Sequence, residues 1–222
     1  MSVKSVIKTL LVDVNPLAKR HRAQMRKQLT NMTPSFLCPN CIGGILFHDL
    51  GLEFRSPTVN LMLTQTDFLK FVLNMEHYLE SEFVFYKHLE YECPCAYLDE
   101  ISIQFTHYHS RSDAVEKWRS RAMRIDSENT FVFLAERDGL TEQDIRSLGT
   151  LNVRGLMVFT ANAYPDIPYA VQIGKYKDEG EVGNILKQSY VDASREYENY
   201  FDFVKWFNEA NGAPYDVTPF VK

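Results

Sequence analysis

The chain has 222 residues, 45% of them apolar and 24% charged, a balance that can bury a core and excludes a disordered or fibrous chain. A formal net charge of -5 argues against nucleic acid as a partner, since a polyanion binder concentrates positive charge. No apolar run approaches the roughly 18 residues of a membrane span, and Lys8 and Asp13 break up the opening apolar residues, so no secretory leader is expected and the expected location is cytoplasmic.

Residues 15–30 read as a helix, with Pro16 suited to its first turn and Leu17, His21, Met25 and Leu29 on one stripe. Its other face carries Lys19, Arg20, Arg22, Arg26 and Lys27, which suits solvent or peripheral contact with membrane-bound machinery on an anionic surface. A short strand is expected at 35–38 and a helical stretch to about residue 50, then loop and strand over 54–63. Thr66 is a suitable cap for a helix through Leu79, with Phe68, Phe71, Val72, Met75 and Leu79 inward. Strands follow at 83–86 and 96–105, then a helix from Ser112 or Asp113 to about Arg124. The all-apolar run at 130–135 reads as a central parallel strand, and 156–160 repeats it after a short helix opened by Thr141. An edge strand at 169–173 and an aromatic helix over 197–211, ended by Gly212, complete the chain. Alternating strands and helices in the second half predict one α/β domain over residues 1–222, a Rossmann-like layered fold with a mostly parallel central sheet.

Three groups of residues could carry chemistry. In Asn40-Cys41-Ile42-Gly43-Gly44 a cysteine stands where a strand gives way to a helix. A helix start lowers a thiol pKa and offers backbone donors, and paired glycines let a substrate or another backbone approach. His107 and His109 stand at the end of a predicted strand, where open α/β sheets place ligands, and a histidine near a cysteine makes a nucleophile–base pair. Trp118, Arg121 and Arg124 lie on the next helix, where two guanidinium forks on one face suit a phosphate or carboxylate. The bland alternatives are a cysteine in a glycine-permitted turn, loop histidines and ion-paired arginines. Cys38 and Cys41 have zinc-knuckle spacing, but Cys93-Pro94-Cys95 is too tight for a second knuckle, so no metal and no cofactor are expected.

Taken together, Asn40-Cys41-Ile42-Gly43-Gly44, Phe54-Arg55-Ser56-Pro57-Thr58-Val59-Asn60, Asp67-Phe68-Leu69-Lys70-Phe71, Phe105-Thr106-His107-Tyr108 and Trp118-Arg119-Ser120-Arg121-Ala122-Met123-Arg124-Ile125, with Asn129-Thr130-Phe131, resemble the DUF1919 family over about residues 15–165. That family is associated with exopolysaccharide and capsular polysaccharide biosynthesis, without an assigned activity. The order of cysteine, histidine and arginine-rich helix is also similar to that of papain-like cysteine peptidases. The resemblance implies an enzyme that transfers a group on a sugar or sugar-phosphate, with Cys41 as nucleophile and His107 as base. Asn40, Gly43, Gly44, Ser56, Asn60, His109, Trp118, Arg121 and Arg124 would then bind substrate. Two other functions fit the same residues: a glycosyltransferase-like binder of a nucleotide sugar, and a non-catalytic assembly protein.

Overall fold

The computed structural model describes residues 15–189, 191 and 194–222; the opening run with Lys8 and Asp13 lies outside them. In chain order the elements are α1 (Pro16–Gln28), β1 (Ser35–Leu37), α2 (Ile42–Leu50), α3 (Gln65–Leu73), α4 (Met75–Glu80), β2 (Phe83–Tyr86), β3 (Cys95–Leu98), β4 (Ile101–Gln104), α5 (Arg111–Ala122), β5 (Thr130–Ala135), α6 (Glu142–Ser147), β6 (Gly155–Thr160), β7 (Ala170–Gln172) and α7 (Phe203–Glu209). Side-chain caps fix where several helices begin: Asn15, Thr64, Ser110, Thr141 and Asp202 each accept a backbone N–H from the first turn. Two of these differ from the residues expected. Thr64 caps α3 ahead of Thr66, and Ser110 caps α5 ahead of Ser112 and Asp113, because in each case the hydroxyl reaches an N–H three residues on.

The four-stranded parallel sheet has the order β1-β5-β6-β7, and every residue of β5 and β6 is buried. Phe36 pairs in register with Phe131, so both rings face the same side and meet α7. Phe131 lies 4.9 Å from Trp206 and 5.0 Å from Phe207, edge to face, the geometry that aromatic quadrupoles favour. Burying one such ring is worth about 1.5–3 kcal/mol. The expected helix over 197–211 is instead a 3-10 turn at Glu196–Asn199 followed by α7, since Asp202 starts a new helix by accepting the Lys205 N–H.

A second sheet, β2-β3-β4, is antiparallel. The single strand expected over 96–105 is thus a hairpin, turned at Asp99, whose φ of 52° is left-handed and tolerable for a short polar side chain. The helix expected to run through Leu79 breaks at Asn74, which leaves helical geometry at φ -137° and ψ 46°. Helix α3 packs on both β4 and β5, and the Ala135 N–H donates to Gln65 Oε1 at 3.0 Å. The buried residues form one contiguous cluster across both sheets.

The fold is α/β with a mostly parallel main sheet. Among the described residues its strand order advances in one direction without reversal, with no topological switch point to form a ligand crevice. Helix α1 also departs from expectation: Ala18 is its one buried residue, and Leu17 is 49% exposed. The reason is polar docking, with Arg22 on Asp49 at 2.8 Å and Arg26 Nε on the Asp49 carbonyl at 2.8 Å. These cations sit at the C-terminal end of α2, where the helix dipole favours them; Lys19, Arg20 and Lys27 are exposed. Among the described residues no helix is long and apolar enough to cross a membrane.

Candidate functional site

The chain leaves β1 through buried Cys38, whose N–H donates to Thr58 Oγ1, while the Pro39 carbonyl accepts from Leu63. Asn40 Oδ1 accepts the Ile42 N–H at 3.0 Å, and Cys41 becomes the residue that opens α2. The two glycines make room for neighbours inside the protein, not for a substrate carbonyl. A Cβ on Gly43 would lie 2.7 Å from Cys38 Sγ, and one on Gly44 would overlap the Asn60 side chain.

Cys41 Sγ lies 3.4 Å from His107 Nε2. The thiol is half-buried and the imidazole exposed. His107 follows β4, so it belongs to the antiparallel sheet and not to the edge of a parallel one. Burial pushes the Cys41 thiol above its ordinary value, and a hydrogen bond with the Thr106 hydroxyl opposes that rise. The depressed thiol expected at a helix start is therefore corrected, for a visible reason: the Ile42 N–H is taken by Asn40 and the Gly43 N–H by Cys38. Cys38 itself is buried and its thiol is pushed up to about 12.

The other candidates hold the site together from behind. Arg121 is buried and donates through Nη1 to the Val59 carbonyl at 3.0 Å and to the Tyr108 hydroxyl at 2.5 Å. Tyr108 in turn donates to the same carbonyl at 3.0 Å. Arg124 donates to the Phe54 carbonyl at 2.9 Å and pairs with Glu53 at 3.3 Å. The expected anion clamp is thus corrected: both guanidinium groups are engaged with the 53–59 loop. Trp118 is 2% exposed and packs edge-on against Phe71 and Phe83, so it is core, not a substrate platform. Ser56 is fully buried and bonded to Thr58, which removes it from the surface. His109 is exposed and forms no hydrogen bond among the described residues. Asn60 remains beside Gly44 with a left-handed φ of 64°.

Sequence reasoning passed over Thr106 and Tyr108, although both lie in the Phe105-Thr106-His107-Tyr108 motif and flank the histidine. A cavity of about 620 Å³ lies elsewhere, between β2 and α5, lined by Phe85, Val115, Arg119 and Met123 among others. Among the described residues no three His, Cys, Asp or Glu side chains converge as a metal would require.

The sequence profile described as "Domain of unknown function (DUF1919)" matches residues 14–208. The chain belongs to the DUF1919 family. The match extends past residue 165, where the motif resemblance stopped, and takes in β7 and most of α7. A relative that matches most of the chain comes from Haemophilus influenzae. It is described as an uncharacterized protein and is 36% identical over 186 residues, 84% of this chain and 89% of the relative. Three of the motif segments that carried the resemblance, around Cys41, Asn60 and His107, meet at this one place in the DUF1919 fold.

Proposed function

We propose that this DUF1919 protein is a cytoplasmic group-transfer enzyme of surface polysaccharide assembly that acts on a sugar or sugar-phosphate through a cysteine nucleophile. The 3.4 Å contact between Cys41 Sγ and His107 Nε2 carries the reading, because a nucleophile and a base within reach of each other are what covalent catalysis requires. The polysaccharide setting rests on what the family resemblance implies. In this scheme the thiol, pushed up by burial, stays protonated until substrate arrives. His107 then accepts its proton, and the imidazolium left beside the new thiolate offsets its charge. The exposed side of His107 gives the second substrate its way in. A nucleotide-sugar binder has less support, since Arg121 and Arg124 are engaged with the 53–59 loop.

The test is alkylation of Cys41 by iodoacetamide near neutral pH, mapped by mass spectrometry. His107→Ala should slow labelling of Cys41 by about 10²-fold, the lower range for a positioned base, and leave Cys38, Cys93 and Cys95 unaffected. Wild-type labelling of Cys41 in His107→Ala would end the nucleophile–base reading.

A further inference from the structure

The proposed reaction leaves open which kind of group passes to the sulfur. Resting on that reading, we infer that the group is an acyl group, carried as a thioester on Cys41, with the Asn60 side-chain amide as a donor to the carbonyl oxygen in the transition state.

Asn60 is held in a conformation that suits few residues. Its φ is 64°, a position that costs a non-glycine residue energy and persists only where the surroundings enforce it. The surroundings here do so. The Val59 carbonyl accepts from both Tyr108 and Arg121, and the Asn60 carbonyl accepts from the Thr106 hydroxyl at 3.4 Å. That same hydroxyl lies beside the Cys41 thiol and opposes its rise, so the turn carrying Asn60 and the nucleophile share Thr106 as a neighbour. The Asn60 side chain packs on Gly44, two residues into α2, yet makes no hydrogen bond among the described residues. The backbone N–H groups of Cys41 and Gly44 likewise meet no acceptor among them, whereas those of Ile42 and Gly43 between them are taken. The start of α2 and the turn that packs on it thus bring uncharged donors to the segment that carries Cys41.

That donor set selects a reaction class. Phosphoryl transfer spreads negative charge over several oxygens and calls for a cation, but Arg121 and Arg124 are engaged with the 53–59 loop. Glycosyl chemistry of the glycosidase kind uses a pair of carboxylates, and among the described residues no carboxylate bonds to Cys41, His107, Thr106 or Asn60. A tetrahedral acyl intermediate develops charge on one oxygen, which two or three neutral N–H donors stabilise. In the first half-reaction the Cys41 sulfur forms a bond to the acyl carbon and the bond from that carbon to the leaving atom breaks. The thiol proton passes through His107 Nε2 to the leaving atom. In the second, an acceptor hydroxyl of the sugar gives its proton to His107, its oxygen bonds to the acyl carbon, and Cys41 departs and recovers the proton.

The experiment uses the full chain with p-nitrophenyl acetate and, separately, p-nitrophenyl phosphate, read by p-nitrophenolate release and by the mass of the peptide containing Cys41. The acetate should leave an acetyl group on Cys41 and the phosphate should leave nothing. Asn60→Gly accepts φ of 64° without strain and removes the amide. It should slow acetylation by about 10²–10³-fold, the usual effect of losing one such donor, while iodoacetamide, whose reaction develops no oxyanion, still labels Cys41 at the wild-type rate. Asn60→Asp gives the same reading if the glycine variant does not fold. Acetylation at the wild-type rate in both variants, or phosphorylation of Cys41, overturns the acyl assignment but leaves the cysteine–histidine pair standing. Loss of His107-dependent alkylation brings down the parent reading instead.

Discussion

At the scale of single residues, burial makes Cys41 hard to deprotonate and Thr106 eases it. Burial raises the thiol and the Thr106 hydroxyl partly reverses the rise, so removing the hydroxyl leaves burial unopposed. Thr106→Val should therefore move the pH profile of Cys41 alkylation to higher pH while leaving its plateau in place. An unmoved or downward-shifted profile would show that the hydroxyl does not act on the sulfur. The cysteine and the histidine were legible as residues to watch, because their motifs stand at element ends. The roles of Arg121 and Trp118 were not. Spacing shows that Lys117, Arg121 and Arg124 share a face, but not whether that face looks outward. The signal that could have answered this is Trp118 itself: Arg121 lies three residues on, hence on the same side of the helix, and a tryptophan marks the buried side.

Among elements, the main question is what fixes the 53–59 loop against α5 and the segment after β4. Arg121, Tyr108 and the Val59 carbonyl form a closed set of three hydrogen bonds. Arg121→Met should cost about 2–3 kcal/mol in urea unfolding, the range for losing a buried charged donor and stranding its acceptors. Tyr108→Phe should cost less, about 1 kcal/mol. The double variant should cost less than the sum of the two, because each change breaks the same set; strictly additive losses would mean that the bonds act independently. Little of this level of organisation is legible in the sequence. The break at Asn74 and the turn at Asp99 use residues that are acceptable in other settings. The hairpin turn, Asp99-Glu100, lacks the Asn-Gly or Asp-Gly pair that usually announces two paired strands. By contrast β5 and β6 were plain, since an unbroken apolar run can only be a buried segment.

For the molecule as a whole, Glu136 joins the ends of two neighbouring parallel strands. It is 4% exposed at the end of β5, and its carboxylate accepts from the Ala161 and Asn162 N–H groups, the Asn162 amide and the Tyr164 hydroxyl. Burial alone would push this carboxyl up, but the hydrogen bonds from Asn162, Tyr164 and Ala161 outweigh burial and hold it below its ordinary value of 4.5. A depressed folded pKa contributes stability that is fully present above the unfolded value and lost as pH falls through the folded one. Wild-type stability should thus decline below about pH 4.5, and Glu136→Gln should be less stable at neutral pH with a shallower decline in acid. Parallel acid limbs for the two proteins, measured by thermal unfolding against pH, would assign the acid sensitivity to other carboxylates.

The strand order carries a further consequence, which lies in time and not in space. Among the described residues strand β1 pairs only with β5, and the whole antiparallel sheet is made in between. Cys41 and His107, 66 residues apart, both lie within that interval, one just after β1 and the other just after β4. Contacts this distant must close a long loop before anything holds it shut, and chains built on them fold slowly. The hairpins of the second sheet can form early from their own neighbours, whereas the nucleophile and its base meet only when the turn after β1 closes on the segment after β4. During synthesis the thiol therefore spends its earliest and most exposed period without the histidine that would activate it, which is made 66 residues later.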